Sequence, residues 1–441
     1  MSGSRYRELV WGQSSLNEGS IPFHYPLLAV LAIVASIAPT TWFLPNFHGY
    51  LVSGAVLCLV IGYGVLFTDI QIRVDSAFLV LFGGYWVGIV TRYFVYSSNP
   101  SLLQYILVTP IAVFATVVVL PRFVEGRPQT FTTGVTLLSV LVMAIGVLML
   151  WQSRTADAQL YAWVGEDVMG LYPIRTPSVF DNPNTYGFFM MVGSLAALYT
   201  VLVRGGLVWF AALGLCLLGL FMSEGDAAIF GFGIGSIIVL SGRDRILSFI
   251  GLGGVIAALY AMIQVGHFSQ VMETTFLGRV DIWVLSLERL ALDPLWGIGF
   301  VDAGPEIGAY LGPHNSYIEV LLHTGVIAGT LYLGALVYAV GRGIRRKWTQ
   351  WTGFVVGTAA SVLTYMIFES LLLGGLSTSS VVLGLAVGLM LLPDSSEEKR
   401  EPRSSATRYA FKNSLAGRVC NRVQSTGYNE TESSANTKDT G

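Results

Sequence analysis

Charge is what this sequence has least of. Only 12% of its 441 residues are charged, against 53% that are hydrophobic, whereas a soluble domain carries roughly 25% charged residues. Mean hydropathy is +0.64. So little polar surface could not cover a water-exposed globule, and the composition predicts an integral membrane protein. Cysteine is scarce too. Cys58 and Cys216 lie in apolar runs and Cys420 in a polar tail, an arrangement that implies no disulfide framework. The sequence lacks paired Cys/His metal spacing, a Gly-rich phosphate loop and a serine-nucleophile motif, so neither a metal nor a cofactor is expected. The net charge is −2 and the basic residues are scattered over loops. With no basic patch, nucleic acid is not an expected partner; membrane lipids are. No cleavable leader is expected either: the first apolar run is full-length and carries no small-residue cleavage site, so it reads as a retained first span.

What the chain does have is apolar runs. Runs of roughly 17–25 residues cross a ~30 Å hydrocarbon core, and about twelve are candidates. They cover 26–44, 49–67, 77–94, 102–120, 131–150, 185–203, 207–221, 227–240, 246–265, 317–340, 351–373 and 380–392, of which the seventh, eighth and last are short. The expected fold is all-α: a polytopic transmembrane helix bundle over 26–392, after a cytoplasmic N-terminus at 1–25. The remaining 393–441 is rich in Ser, Thr, Glu, Lys and Arg, cannot build a core, and is expected to be a disordered cytoplasmic tail. Gly231-Phe-Gly-Ile-Gly235 predicts close helix packing.

Lysine and arginine orient the bundle. With the N-terminus inside, Arg5, Arg7, Arg73, Arg122, Arg127, Arg204, Arg243, Arg245 and the Arg342–Lys347 cluster fall on the cytoplasmic side. Arg92, Arg154, Arg175, Arg279 and Arg289 fall outside. Both termini are then cytoplasmic in the cell membrane, and the two long connections, 151–184 and 266–316, are extracytoplasmic. That side has no ATP and no nucleotide-sugar pool, so any donor used there must arrive already activated.

The long interruption at 277–329 concentrates the chemistry. Arg279–Leu290 reads as an amphipathic helix, with Val280, Trp283, Val284, Leu287 and Ala291 on one stripe and Arg279, Asp281, Glu288 and Arg289 off it. Such a helix can lie in the membrane interface with its polar face toward the loop. Arg279 stands at its start, where a guanidinium and free backbone N–H groups can share an anion. Pro294 stops the helix, and Gly297 and Gly299 turn the chain. Pro313-His314-Asn315-Ser316-Tyr317 then opens the tenth run, with Ser316 and Glu319 fitting a capping box. His314 precedes that helix, at the outer interface, where a neutral imidazole can serve as a general base. His323, two turns deeper, reads as a packed histidine. In the other loop, Asp181, Asn182 or Asn184 can cap the sixth run. Two helix N-termini with Arg175 and Arg279 would suit a phosphate-rich anion. Arg92 is a third cation, or a snorkelling one. Glu369 reads as lying inside the eleventh run, where an ionisable group is functional by default and an arginine its expected partner.

Four pieces of this chain resemble the O-antigen ligase and polymerase family of membrane glycosyltransferases. They are Pro177-Ser-Val-Phe-Asp-Asn-Pro-Asn184-Thr-Tyr, Gly278-Arg279-Val-Asp-Ile-Trp283, Asp293-Pro294-Leu-Trp-Gly297-Ile-Gly299-Phe, and His314-Asn315-Ser-Tyr-Ile through Thr324-Gly325-Val-Ile-Ala-Gly329. Their order and spacing match over about 150–347; before that only hydropathy does. The resemblance implies metal-independent, inverting transfer of a glycan from a polyprenyl-diphosphate carrier to a glycan or lipid acceptor. It implies His314 as base and Arg279 on the donor diphosphate; the reading of the residues themselves adds Arg175, Arg92, Asn315, Asn184, Trp283 and Glu369 as candidate substrate contacts. One departure stands out: the family usually shows Ser-Arg-Gly where this chain has Ser223-Glu224-Gly225. The competing expectation is a secondary transporter for a small anion, which a bundle of about twelve spans would suit.

Overall fold

Residues 23–68, 74–96, 100–155, 176–264 and 278–393 are described in the computed structural model. The expectations for Arg175, for the N-terminal segment up to residue 22 and for the tail beyond Pro393 lie outside them. By its contacts the chain divides into a unit Met1–Leu392 and a unit Pro393–Gly441.

Every apolar run contains a helix, and no strand occurs among the described residues beyond one isolated bridge, Thr41 to Phe180. In order these are α1 (His24–Ile37), α2 (Asn46–Leu66), α3 (Ser76–Tyr96), α4 (Pro100–Val113) continuing through a π-helical turn (Phe114–Val119) into α5 (Leu120–Glu125), and α6 (Pro128–Thr155). Then come α7 (Pro183–Arg204), α8 (Leu207–Met222), α9 (Asp226–Ser241), α10 (Arg245–Gln264), α11 (Gly278–Leu292), α12 (Ala303–Glu306), α13 (Ser316–Arg345), α14 (Gln350–Tyr365) and α15 (Thr378–Leu391). Among the described residues six helical stretches are long and apolar enough to cross a membrane: α2, α3, the α4–α5 stretch, α6, α7 and α13. Large apolar side chains such as Leu59, Val80, Phe94 and Val337 point outward, as they must in a helical membrane protein whose solvent is lipid.

Small residues set the closest contacts. A Cβ on Gly235 of α9 would run into the Ser361 hydroxyl of α14, and one on Gly231 would come within 2.8 Å of the Ser361 carbonyl. The expected packing role of these glycines is therefore met by α14. Pro110 inside α4 leaves the Ile106 carbonyl without its helical donor. The Trp86 indole of α3 donates to that carbonyl at 3.1 Å, so the proline costs no unsatisfied group.

Two backbone breaks depart from regular helix. The thirty-residue α13 is interrupted at Gly325, whose φ and ψ are 76° and 171°. The freed carbonyls of Leu322 and His323 accept from the Ile298 and Gly299 N–H groups at 2.7 and 3.0 Å, and Val326 N–H donates to Pro294 O at 2.7 Å. The Asp293–Gly299 turn is thus inserted into the break. Cβ atoms on Gly325 and Gly297 would strike the Leu295 and Leu322 carbonyls respectively. The second break corrects the sequence reading: the run 351–373 is not one helix. Helix α14 ends at Tyr365, and the chain from 366 to 377 is irregular yet mostly buried or half-buried. Side chains satisfy its backbone: Leu371 N–H donates to Ser316 Oγ at 2.8 Å and Leu373 N–H to Tyr332 Oη at 2.8 Å. Tyr105 Oη donates to Leu373 O at 3.1 Å and Ser53 Oγ to Leu376 O at 2.8 Å. Non-helical backbone at membrane depth is tolerated on that condition.

Helix α13 connects two different ends of the bundle. At its far end Arg342 lies 3.9 Å from Asp75, Arg346 lies 3.9 Å from Glu125, and Arg346 donates to Leu389 O at 2.6 Å.

Gly325→Ala is expected to lower the thermal unfolding midpoint in detergent, since that backbone region costs a non-glycine residue about 1–3 kcal/mol before the clash with Leu295 is counted. Gly341→Ala, in a helical stretch of α13 with open space around it, is expected to leave the midpoint unchanged or raise it.

Candidate functional site

Three chain segments meet at Glu369: the start of α7, the start of α11 and the approach to α13. Each is placed by its local chemistry. Asn182 caps α7, its side chain accepting from Asn184 N–H at 2.8 Å, with Pro183 as the first helical residue, the position where a proline loses nothing. Of the three capping candidates, Asn182 does this work and Asn184 is left facing inward. Asn315 caps α13, accepting from the N–H groups of Tyr317 and Ile318 at 3.0 and 3.1 Å. The expected Ser316–Glu319 capping box does not form. Asn315 takes the cap, Ser316 turns its hydroxyl to the Glu369 carbonyl at 2.7 Å, and Glu319 faces His323 at 3.5 Å.

Helix α11 is amphipathic in the reverse sense to a core helix. Val280, Val284, Leu287 and Ala291 face outward, while Ile282, Ser286 and Leu290 turn in, with Arg279, Trp283 and Arg289 half-buried. Of the predicted stripe only Trp283 is partly enclosed. Its indole donates to Pro313 O at 2.8 Å and so pins the segment that carries His314. His314 itself has φ 43°, a left-handed conformation in which histidine is enriched several-fold among non-glycine residues.

The Glu369 carboxylate joins these parts. Asn184 Nδ2 donates to its Oε1 at 2.7 Å. Arg279 Nη2 lies 3.5 Å from Oε1, and Arg279 Nη1 donates to the neighbouring Phe368 carbonyl. His314 Nδ1 lies 3.7 Å from Oε2. Tyr365 Oη donates to Asn184 O at 3.1 Å and Ser316 N–H to Met366 O at 2.9 Å, so the irregular segment is tied to both helix starts. The structure therefore brings together His314, Arg279, Asn184 and Glu369, with Trp283 and Asn315 holding the His314 segment. Glu369 is not inside a helix, as the hydropathy implied, but in the irregular stretch after α14.

Arg92 belongs to a second group. It is 8% exposed, not snorkelling, and lies under the Gly299 turn, where an added Cβ would come within 3.0 Å of its guanidinium. His323 sits in the same layer: its Nδ1 bonds to the Gly299 carbonyl, and its ring stacks on Phe300 at 5.3 Å and 11°. His323 is thus packed and bonded, as its place two turns into the helix suggested.

Glu369 is about one-eighth exposed and His314 about one-third, at 12% and 35% of their side-chain surface. The group opens at the end of the bundle and is not a closed chamber. Among the described residues two small gaps lie elsewhere, one bordered by Asp75 and Arg122, the other apolar and beside Ile33 and Phe354. Among the described residues no cluster of three or more His, Cys, Asp or Glu could hold a metal ion.

Sequence reasoning missed two features. Ser316 was assigned to a cap, whereas it bridges Glu369 O and Leu371 N–H. Glu369 was paired with arginine alone, whereas it also meets Asn184 and His314. The Gly374-Gly375 pair and the polar Glu369-Ser370 step were the available signal that the eleventh run breaks. No protein-family model and no curated protein matches the chain.

Ser316→Ala would leave Leu371 N–H and Glu369 O without their shared hydroxyl, at a cost of about 1–3 kcal/mol. The expected outcome is a lower unfolding midpoint than that of Ser377→Ala, measured side by side in the same detergent.

Proposed function

We propose that the chain is a membrane glycosyltransferase of the O-antigen ligase/polymerase kind, which moves or polymerises a glycan from a polyprenyl-diphosphate carrier at the outer face of the cell membrane. The reading takes all twelve apolar helical runs as spans, both termini as cytoplasmic and the connections 151–184 and 266–316 as extracytoplasmic. What supports this orientation is that the basic Arg342–Lys347 cluster and His314 stand at opposite ends of α13, in keeping with the bias of basic residues toward the cytoplasm.

The observation that carries the reading is the meeting of His314 and Arg279 on one carboxylate at the mouth of the bundle. A diphosphate is a good leaving group and needs no general acid. It needs its charge met, which a guanidinium does. An acceptor hydroxyl needs a base, which a neutral imidazole supplies. In this mechanism the acceptor O–H proton passes to His314 as the oxygen attacks the anomeric carbon from the face opposite the leaving group. The C–O bond to the diphosphate breaks, its electron pair leaves with the carrier, and the sugar inverts. Arg279 faces the diphosphate, with Asn184 and Asn315 near it; Arg175, outside the described residues, is the sequence's candidate for a second cation. The outward apolar stripe of α11 suits a helix seated in the lipid interface beside a polyprenyl tail.

A small-anion transporter is the second reading. The break in α13 favours it, since transporter sites lie on discontinuous helices. At this break, however, the freed carbonyls of Leu322 and His323 are taken by the Asp293–Gly299 turn.

His314→Ala is expected to reduce glycan transfer by about 10²–10⁴-fold, the usual contribution of a general base. Arg279→Ala is expected to reduce it by about 10–100-fold, the worth of a charged hydrogen bond. Cells carrying either variant should keep the protein in the membrane, lose surface glycan and accumulate carrier-linked precursor. An unaltered surface glycan profile in both variants overturns the proposal, and protein-dependent uptake of a labelled anion would replace it with the transporter.

A further inference from the structure

The two ring nitrogens of His314 are not equivalent. Nδ1 is shut off from solvent with no hydrogen-bond partner within bonding distance, and it faces Glu369 Oε2 at 3.7 Å. The side chain as a whole is 35% exposed while Nδ1 is not, so its exposure falls on the remaining atoms, and Nε2 is the ring nitrogen left for a substrate. The other carboxylate oxygen is already committed: Oε1 accepts from Asn184 Nδ2 at 2.7 Å and faces Arg279 Nη2 at 3.5 Å. Oε2 is the acceptor left for the imidazole.

We infer that Glu369 is a positioning residue that holds the proton of His314 on Nδ1, leaves the Nε2 lone pair directed at the acceptor hydroxyl, and ties this imidazole to the Arg279 guanidinium through a single carboxylate. The bond a histidine makes through one nitrogen decides which nitrogen carries the proton. Closing the gap from 3.7 Å to bonding distance takes a shift of less than about 1 Å, and such contacts are often long before a ligand binds. The backbone of Glu369 is fixed by the Ser316 hydroxyl, so the adjustment falls to its side chain. In the transfer step Nε2 takes the acceptor proton, and the positive charge that develops on the ring lies beside the Glu369 carboxylate. The purpose of this arrangement rests on the glycosyltransferase reading; the tautomer itself does not.

The geometry makes Glu369→Gln a sharp test. Asn184 and Arg279 both present donors to the Oε1 position, so the amide of the variant must put its oxygen there and its NH₂ toward His314. That NH₂ can only donate to Nδ1, which forces the proton to Nε2 and removes the base. The measurement is the nitrogen NMR spectrum of full-length, ¹⁵N-histidine-labelled protein in lipid nanodiscs, with the ring neutral and the His314 signals identified by their loss in His314→Gln. The expected result is the Nδ1–H form in the unaltered protein and the Nε2–H form in Glu369→Gln, whose surface glycan falls by about the same 10²–10⁴-fold as loss of the base. An Nε2–H form in the unaltered protein overturns the inference, and this spectrum decides the matter even where Glu369→Gln does not fold. A tautomer unchanged by Glu369→Gln overturns it as well. The expected tautomer pair together with a surface glycan indifferent to His314→Ala upholds the geometry and removes the glycosyltransferase instead.

Discussion

A carboxylate placed among apolar helices has to be met by donors, because leaving it ionised and unpaired in a low-dielectric surrounding is prohibitively costly. The arrangement at the mouth of this bundle follows from how Glu369 meets that demand. No single neighbour supplies the donors. One comes from the second residue of α7, one from the start of α11 and one faces it from the residue before the α13 cap. Three segments far apart in sequence are thereby registered against one another by a side chain that belongs to none of them. Removing Glu369 would cost more than one ion pair, since Asn184, Arg279 and His314 would all lose their common point of reference.

The same demand applies to main chain. Around this carboxylate the protein gives up regular helix twice, at Gly325 and from 366 to 377, and each time the loose backbone groups are recovered nearby. The α13 break is filled by a turn that needs two glycines to fit. The 366–377 stretch is held by hydroxyls of serine and tyrosine from several helices. These are interior positions, and hydroxyl groups there are easily taken for neutral filler. Ser53, Tyr105, Ser316 and Tyr332 instead carry the hydrogen bonds that a helix would have made for itself. Phe300 links the two regions, stacking on His323 at 5.3 Å and on Tyr105 at 4.6 Å.

Hydropathy alone was enough to find the helices, because a residue run that excludes water over a membrane's thickness has few other structures open to it. Cap residues and the amphipathic stripe, added to it, were enough to place His314, Arg279 and Asn184 at helix starts. Hydropathy could not find the place where a run of the right length stops being a helix. The stretch 351–373 is mostly apolar, with Glu369 and Ser370 near its end, and its break at Tyr365 depends on tertiary donors. Local pattern failed for the same reason at Ser316. A Ser-x-x-Glu sequence caps a helix when nothing competes, but here Asn315 caps more directly and Glu369 O claims the serine. In α11 the apolar spacing leaves the environment of the stripe open, because apolar side chains seek lipid as readily as a core: Val280, Val284, Leu287 and Ala291 are exposed and Trp283 is partly enclosed. Arg92 went to the Gly299 turn for a reason no local pattern contains, namely that a glycine there leaves room for a guanidinium.

The placement of Glu369 also bears on how an anion would be received. Arg279 brings one positive charge and Glu369 one negative, so the pair is close to neutral before any ligand arrives. That keeps the site cheap to hold in a half-buried position. It also means that Arg279 cannot by itself balance a diphosphate. A guanidinium has five N–H donors, and in this arrangement its two terminal nitrogens reach Phe368 O and Glu369. Donors remain for a phosphate oxygen, but the charge must come from further groups, of which Arg175 in the opposite loop is the sequence's own candidate. On the glycosyltransferase reading, an incoming diphosphate would compete with Glu369 for Arg279 while the imidazole gains charge as it takes the acceptor proton. The carboxylate would then trade a guanidinium for an imidazolium within one small shift of its side chain. On that reading the cluster would release its cation to the substrate as the reaction creates another cation to replace it.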